Sequence, residues 1–268
     1  MLYIKKVPCP EDIAERIDEI KSSELWRDAQ DPADDSLTRE EKIHASQVLR
    51  THFDQLDKKK VRAVLLAEQH CLCAYCMLPI SNDGNSTNIE HWAPLSKKKS
   101  NALDYQNFLA TCKGGATQEF AGGELKKLTI CCDAKKGDED SLIIDPRDES
   151  MMEGIVYSRD GIISYIGTLK AEIERDLDTV LCLNGKLDKD RNSVGDTRTQ
   201  LVYSRRRVYQ NTEQICLDQL ERDNLTAEWL QTQIRESLDK ERWDSMVGVS
   251  IYVYQLYLSR ISKKYSGE

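Results

Sequence analysis

The spacing of five cysteines constrains this chain more than any other feature. Cys73 and Cys76 form a C-x-x-C pair, Cys112 follows at a distance, and Cys131 and Cys132 are adjacent. A C-x-x-C turn aims two sulfurs at one point, and a thiolate quartet suits Zn²⁺, held tetrahedrally with no open position when its role is structural. Adjacent cysteines do not both reach one ion comfortably, so one of Cys131 and Cys132 is expected to complete the quartet and the other to be spare. Between the cysteines lies Glu90-His91. A carboxylate beside an imidazole suits a harder divalent ion that holds water and phosphate oxygens. The pattern therefore predicts a structural zinc clamp around a second, catalytic metal centre, the equipment of a phosphodiester-cleaving enzyme.

The motifs Cys73-x-x-Cys76, Glu90-His91-Trp92-Ala93-Pro94-Leu95, Asn107-Phe108-Leu109-x-x-Cys112 and Cys132-Asp133-Ala134-Lys135-Lys136-Gly137 resemble the HNH endonuclease family. More narrowly, they resemble the HNH proteins encoded beside retrons and in Septu anti-phage systems, the PtuB group. The likeness covers about residues 66–150, with short flanking matches at Ile144-Asp145-Pro146, Leu181-Cys182-Leu183-Asn184 and Arg191. The resemblance implies a ββα-metal module in which a hairpin delivers Glu90 and His91 and a helix delivers Asp133. It implies His91 as the general base, Glu90 as a metal ligand beside it, and Asn107 as the residue that holds the base loop. Cys73, Cys76, Cys112 and Cys132 become the zinc ligands, and Glu90 and Asp133 the ligands of catalytic Mg²⁺ or Mn²⁺. Asp133 departs from the family pattern, which has His or Asn there. So does the long Gly-rich insert between Cys112 and Cys132, where the usual spacing is two residues. The implied partners are a PtuA-like ATPase and, in some systems, a retron reverse transcriptase with its RNA and DNA.

Charge qualifies the functional reading. The chain has 268 residues and a net charge of −8, which disfavours unaided capture of nucleic acid. From His91 to Lys136, however, eight lysines face four carboxylates. Lys97, Lys98, Lys99, Lys135 and Lys136 are the expected phosphate contacts. DNA is the expected substrate. The alternatives are a ribonuclease acting on transfer RNA or another RNA, and a zinc-binding module without activity. The first six residues lack a long apolar core, no apolar run nears the ~20 residues of a membrane span, and nine cysteines without a leader argue for thiols and metal. A cytoplasmic protein is expected.

The expected fold class is α+β and mainly helical, in three segments: helices over 1–65, the zinc-stabilised nuclease module over 66–150, and a hairpin plus helices over 151–268. Leu2-Tyr3-Ile4 reads as a short strand. A helix is expected from Pro10 to about Asp28, burying Ile13, Ile17, Ile20 and Leu25. Another is expected from Thr38, where Thr38 and Glu41 match a capping box, carrying Ile43, Val48, Leu49, Phe53 and Leu56. A further helical stretch, 61–68, leads into the cysteine turn. Residues 154–158 and 162–166 read as a hairpin turned at Arg159-Asp160-Gly161. Residues 199–220 read as an amphipathic helix carrying Leu201, Val208, Ile215 and Leu220, with Arg205-Arg206-Arg207 on a solvated face. Thr226 is expected to cap a last long helix. Its apolar run from Met246 to Leu258 demands burial, in this chain's core or against a partner.

Overall fold

A computed structural model describes residues 1–114, 130–137, 141–185, 187, 189–190 and 200–266. It is an α+β structure, about 52% helical, with two small antiparallel sheets. The helices are α1 (Glu11–Ser22), α2 (Glu24–Asp28), α3 (Arg39–Phe53), α4 (Lys58–Glu68), α5 (Asp133–Lys136), α6 (Glu149–Glu153), α7 (Lys170–Arg175), α8 (Leu201–Glu221), α9 (Ala227–Leu238) and α10 (Val247–Ser266). Strands β1 (Thr87–His91) and β2 (Phe108–Cys112) form one sheet, and β3 (Ile155–Tyr157) and β4 (Ile163–Tyr165) form the other. Among the described residues no helix is long and apolar enough to cross a membrane.

Local chemistry sets the helix ends. Ser23 has an extended backbone and accepts a hydrogen bond from Trp26 N, so it starts α2 and ends α1. One expected helix is thus two. The break rotates Leu25 into solvent at 75% exposure and puts Trp26 inside. Ile13, Ile17 and Ile20 are buried as the 3.6-residue period requires. The Thr38–Glu41 capping box is present in both directions. Leu49, Phe53 and Leu56 are buried, but Ile43 is half exposed. Leu2-Tyr3-Ile4 is not a strand; Ile4 N donates instead to Pro146 O at 2.8 Å.

The second hairpin forms where expected, over strands shorter than expected, with Ile155 opposite Tyr165 and Tyr157 opposite Ile163. Its turn needs glycine: Gly161 sits at φ +86°, and a Cβ there would lie 2.1 Å from Val202 O. That close approach brings α8 onto the turn. Arg205 of α8 is 1% exposed and donates to Gly161 O, Leu183 O and Asn184 Oδ1. The arginine run therefore does not lie wholly on a solvated face. Its first member ties α8 to the hairpin and to the loop after residue 181. Of the expected apolar positions Leu201 is buried and Val208 is half-buried against the core, but Ile215 and Leu220 are exposed; Val202, Tyr209 and Cys216 are buried instead.

The last long helix is also two. Thr226 caps α9 by accepting from Trp229 N, and the chain breaks before α10. Met246, Val247, Val249, Ile251, Val253, Tyr254 and Tyr257 are all buried, with α10 packed on α8, α9 and β3. The apolar run is satisfied within this chain, so it does not call for a partner. A single apolar core joins residues from Met1 and Leu49 through Phe108 and Leu183 to Tyr257, spanning all three expected segments. Arg191 lies outside the described residues, as does most of the insert after Gly114.

Candidate functional site

Three pieces of chain build the sulfur cluster. Helix α4 ends at Glu68, and Gln69 then behaves like a strand edge: its amide donates to Leu72 O and Ala110 O and accepts from Ala110 N. This holds the cysteine turn against β2. Within the turn, Cys73 N donates to Leu78 O, Met77 N to Cys73 O, and Ile80 N to Cys71 O. The backbone reverses through left-handed residues His70, Cys71 and Met77. Cys112 comes from the end of β2 and Cys132 from the start of α5.

The sulfurs of Cys73, Cys76, Cys112 and Cys132 all lie within 4.8 Å of one another. Cys73 and Cys132 are 3.9 Å apart, and Cys76 and Cys112 3.7 Å. A tetrahedral Zn²⁺ with Zn–S bonds of about 2.3 Å needs sulfurs about 3.8 Å apart. The donor set thus fits zinc in type, number and spacing. Close hydrogen-bonding to Cys131 and Cys132 holds the Cys112 thiol far below its ordinary value, while Cys112 in turn pushes Cys76 and Cys132 up. Four crowded thiols cannot all ionise without a cation among them.

The choice between adjacent cysteines rests on one backbone residue. Cys132 has φ 57°, ψ −142°, and its N–H is anchored on Leu181 O at 2.9 Å. This turns its sulfur into the cluster; Cys131 lies outside it, with its sulfur 3.7 Å from that of Cys132. The insert's two ends meet at Gly114, whose carbonyl accepts from Cys131 N at 3.0 Å. Gly114 has φ +57°, and a Cβ would sit 2.0 Å from Cys131 O, so the stem requires glycine.

The hairpin carrying Glu90 and His91 lies beside the cluster, with Glu90 opposite Leu109 and His91 opposite Phe108. His91 is 6% exposed. Its ring packs edge-on against Phe53 at 4.5 Å and Phe108 at 5.1 Å, and its Nε2 lies 3.2 Å from Ala102 O. A carbonyl only accepts, so Nε2 carries the proton, and Nδ1 is the basic nitrogen of the neutral ring. Burial lowers its pKa to about 4. The aromatic walls keep the ring neutral across the physiological range.

Glu90 is 5% exposed. It accepts from Tyr75 Oη at 3.2 Å and from Lys136 Nζ. Burial and the neighbouring Asp133 carboxyl push its pKa well up, against the pull of Lys136. Asp133 accepts from Asn88 Nδ2 at 2.7 Å, and Lys113 Nζ donates to Asn88 Oδ1. Arg50, Asn88, Glu90, His91, Asp133 and Lys136 line a polar cavity of about 240 Å³. Asn107 stands behind it. Its Oδ1 accepts from Ala93 N, and its Nδ2 donates to Ala93 O and Asn101 O. These bonds fasten the loop after His91.

The expected lysines separate. Lys97, Lys98 and Lys135 are exposed. Lys136, expected to be a phosphate contact, is 3% exposed, and its ammonium also donates to His91 O at 2.8 Å. Packing of α5 against β1 turns it inward, where Glu90 compensates its charge. Lys99 is likewise engaged, donating to Ala29 O and Arg27 O beside Trp26. The sequence reading missed Arg50, Tyr75 and Asn88. Asn88 was within reach of it, since it shares the strand face of Glu90 by the period of two. Arg50 sits on a distant helix and carries no local signal. No family model and no curated protein matches the chain.

Proposed function

We propose that this chain is a metal-dependent HNH-type endonuclease that hydrolyses phosphodiester bonds, with DNA as its substrate and a structural zinc in the four-cysteine cluster. The observation that carries the reading is the convergence of Glu90, His91 and Asp133 on one polar cavity beside that cluster. The order of hairpin and following short helix supports a ββα-metal arrangement. Glu90 and Asp133 offer two carboxyl groups, a fit for Mg²⁺ or Mn²⁺, which keep water ligands and take few from the protein. When bound there, such an ion supplies Lewis-acid stabilisation of charge on the scissile phosphate.

The chain's own residues do the rest. Ala102 O orients the His91 ring through Nε2–H, and Nδ1 takes the proton from attacking water. A pKa near 4 makes His91 fully available as a base at pH 7, though a weaker one than an ordinary imidazole. Lys136 offsets the charge of Glu90. Asn107 positions the loop that carries His91 forward. We extend the proposal to an effector role in an anti-phage complex with a PtuA-like ATPase, as in retron and Septu systems. The net charge of −8 supports a partner that presents the substrate, because affinity for nucleic acid comes largely from phosphate neutralisation.

The test is cleavage of labelled plasmid, single-stranded DNA and transfer RNA with Mg²⁺ or Mn²⁺, with and without the ATPase. His91→Ala should lower the rate by about 10²- to 10⁴-fold and retain zinc. Wild-type cleavage by His91→Ala refutes the base. Cleavage of transfer RNA alone replaces the substrate. No cleavage in any combination refutes the nuclease.

A further inference from the structure

A second and larger hollow adjoins the cavity just described. It holds about 440 Å³ and lies between α3 and the loop after His91. Its cations are Arg39, Lys42 and Arg50 from α3 and Lys97 from the loop, and among the described residues no carboxylate lines it. Positions 39, 42, 43, 46 and 50 recur at helical spacing, so they form one face of α3. Arg50 also lines the catalytic cavity. Leu95 lines the groove and its neighbour Pro94 the cavity, so the two hollows lie side by side.

This arrangement runs against the rest of the chain. A protein of net charge −8 has gathered four cations along one groove that ends at its candidate site. Lys42 is paired with Asp35 at 3.6 Å, but Asp35 is fully exposed, and such pairs contribute little. Between the cations the floor is apolar: Ile43 is 49% exposed there, over buried Leu95. Charged walls over an apolar floor suit a ligand with anionic links and flat apolar faces.

We propose that this groove is the track for the phosphate backbone of a single nucleic-acid strand, which it feeds into the Glu90–His91–Asp133 cavity. The proposal deepens the nuclease reading and rests on it for the direction of feeding. From Arg39 to Arg50 the helix rises about 16 Å, the axial length of about five nucleotides at ~3.4 Å each. Helix α3 thus belongs to the substrate site, although it lies outside the expected nuclease module.

The probe is a fluorescent 12-nucleotide single strand, as DNA and as RNA of the same sequence. Binding is measured on His91→Ala from 0.1 M to 1 M salt, so that nothing is cut. The test variant adds Arg39→Ala, Lys42→Ala and Lys97→Ala, and leaves Arg50 in place because it lines the catalytic cavity. Each lost contact flattens the slope of log K against log salt by about 0.7. Three make about 2, so the dissociation constant at 0.1 M salt should rise on the order of 100-fold, with the curves converging near 1 M. In the chain with His91, the same three changes should raise KM and leave kcat unchanged. Lys97→Glu alone, on an exposed loop, reads the same effect if the triple variant folds poorly. Unchanged affinity and slope in these variants, or no binding by the parent, overturns the groove. Groove-dependent binding by a chain that cuts nothing retains the groove and removes the nuclease reading. The tighter of the two strands identifies the source of the phosphates.

Discussion

Replacing Asn107 by alanine tests whether the loop after His91 is held by one side chain. Asn107 is 4% exposed. Its amide makes three bonds to that loop: Ala93 N to Oδ1 at 2.8 Å, Nδ2 to Ala93 O at 2.8 Å, and Nδ2 to Asn101 O at 3.1 Å. The backbone bond from Trp92 N to Asn107 O survives the change. A hydrogen bond contributes about 1 kcal/mol net, and a buried partner left unsatisfied costs about 1–3 kcal/mol. Three bonds, partly relaxed by entering water, make about 3 kcal/mol. For a chain of this size that corresponds to a fall in Tm of roughly 6–12 °C. Asn107→Asp should be worse than alanine: it keeps an acceptor for Ala93 N but turns a carboxylate oxygen toward two carbonyls. Thermal unfolding monitored by circular dichroism, with zinc content measured in parallel, gives the answer. Zinc should be retained, since none of these bonds touches a cysteine. A fall below 2 °C for alanine, or an aspartate variant as stable as wild type, refutes the reasoning.

Cys132→Ser should abolish the bound zinc, whereas Cys131→Ser should retain about one equivalent, both read by metal analysis of purified protein. Lys136→Met removes the cation from a buried pair, which typically costs about 3–5 kcal/mol; denaturant unfolding should show this loss, and a neutral result means that Glu90 is protonated in the folded chain. Tyr254→Asp puts a charge where the ring is 7% exposed and 6.0 Å from Trp229, so it should lower Tm of the isolated chain. If Tm is unchanged and only binding to a partner is lost, α10 is an interface after all.

The sequence made the cysteine frame legible because C-x-x-C has few ways to be arranged. The Thr38–Glu41 box and the hairpin at Gly161 were legible for the same kind of reason, since each is a local rule with a fixed offset. Side-chain direction was harder. Lys136 and Arg205 sit in basic runs, and the ordinary inference from a basic run is solvent. Their burial depends on acceptors far along the chain: Glu90 and His91 O for one, Gly161, Leu183 and Asn184 for the other. Leu25 was misplaced because Ser23 reads equally well as a helix residue or as a cap. The choice of Cys132 over Cys131 turned on a backbone twist at a non-glycine residue, with Leu181 O holding the N–H. None of these long-range partners leaves a trace in local periodicity. Arg50 shows the same limit at the site itself, since it reaches the cavity from α3, forty residues before Glu90.

The bond from Cys131 N to Gly114 O bears on how this chain can change over evolutionary time. It acts as a clasp. Whatever lies between residues 114 and 131 leaves and returns through one narrow gate, two positions from the metal ligands on one side and one on the other. The four sulfurs are placed by the cysteine turn, β2 and Leu181 O, and the gate closes the chain next to two of them, so a change in length beyond it need not move them. A family pattern with two residues at this point and a chain with nineteen residues between its cysteines can thus share one metal geometry. The gate itself has no such freedom, because only glycine fits its first post.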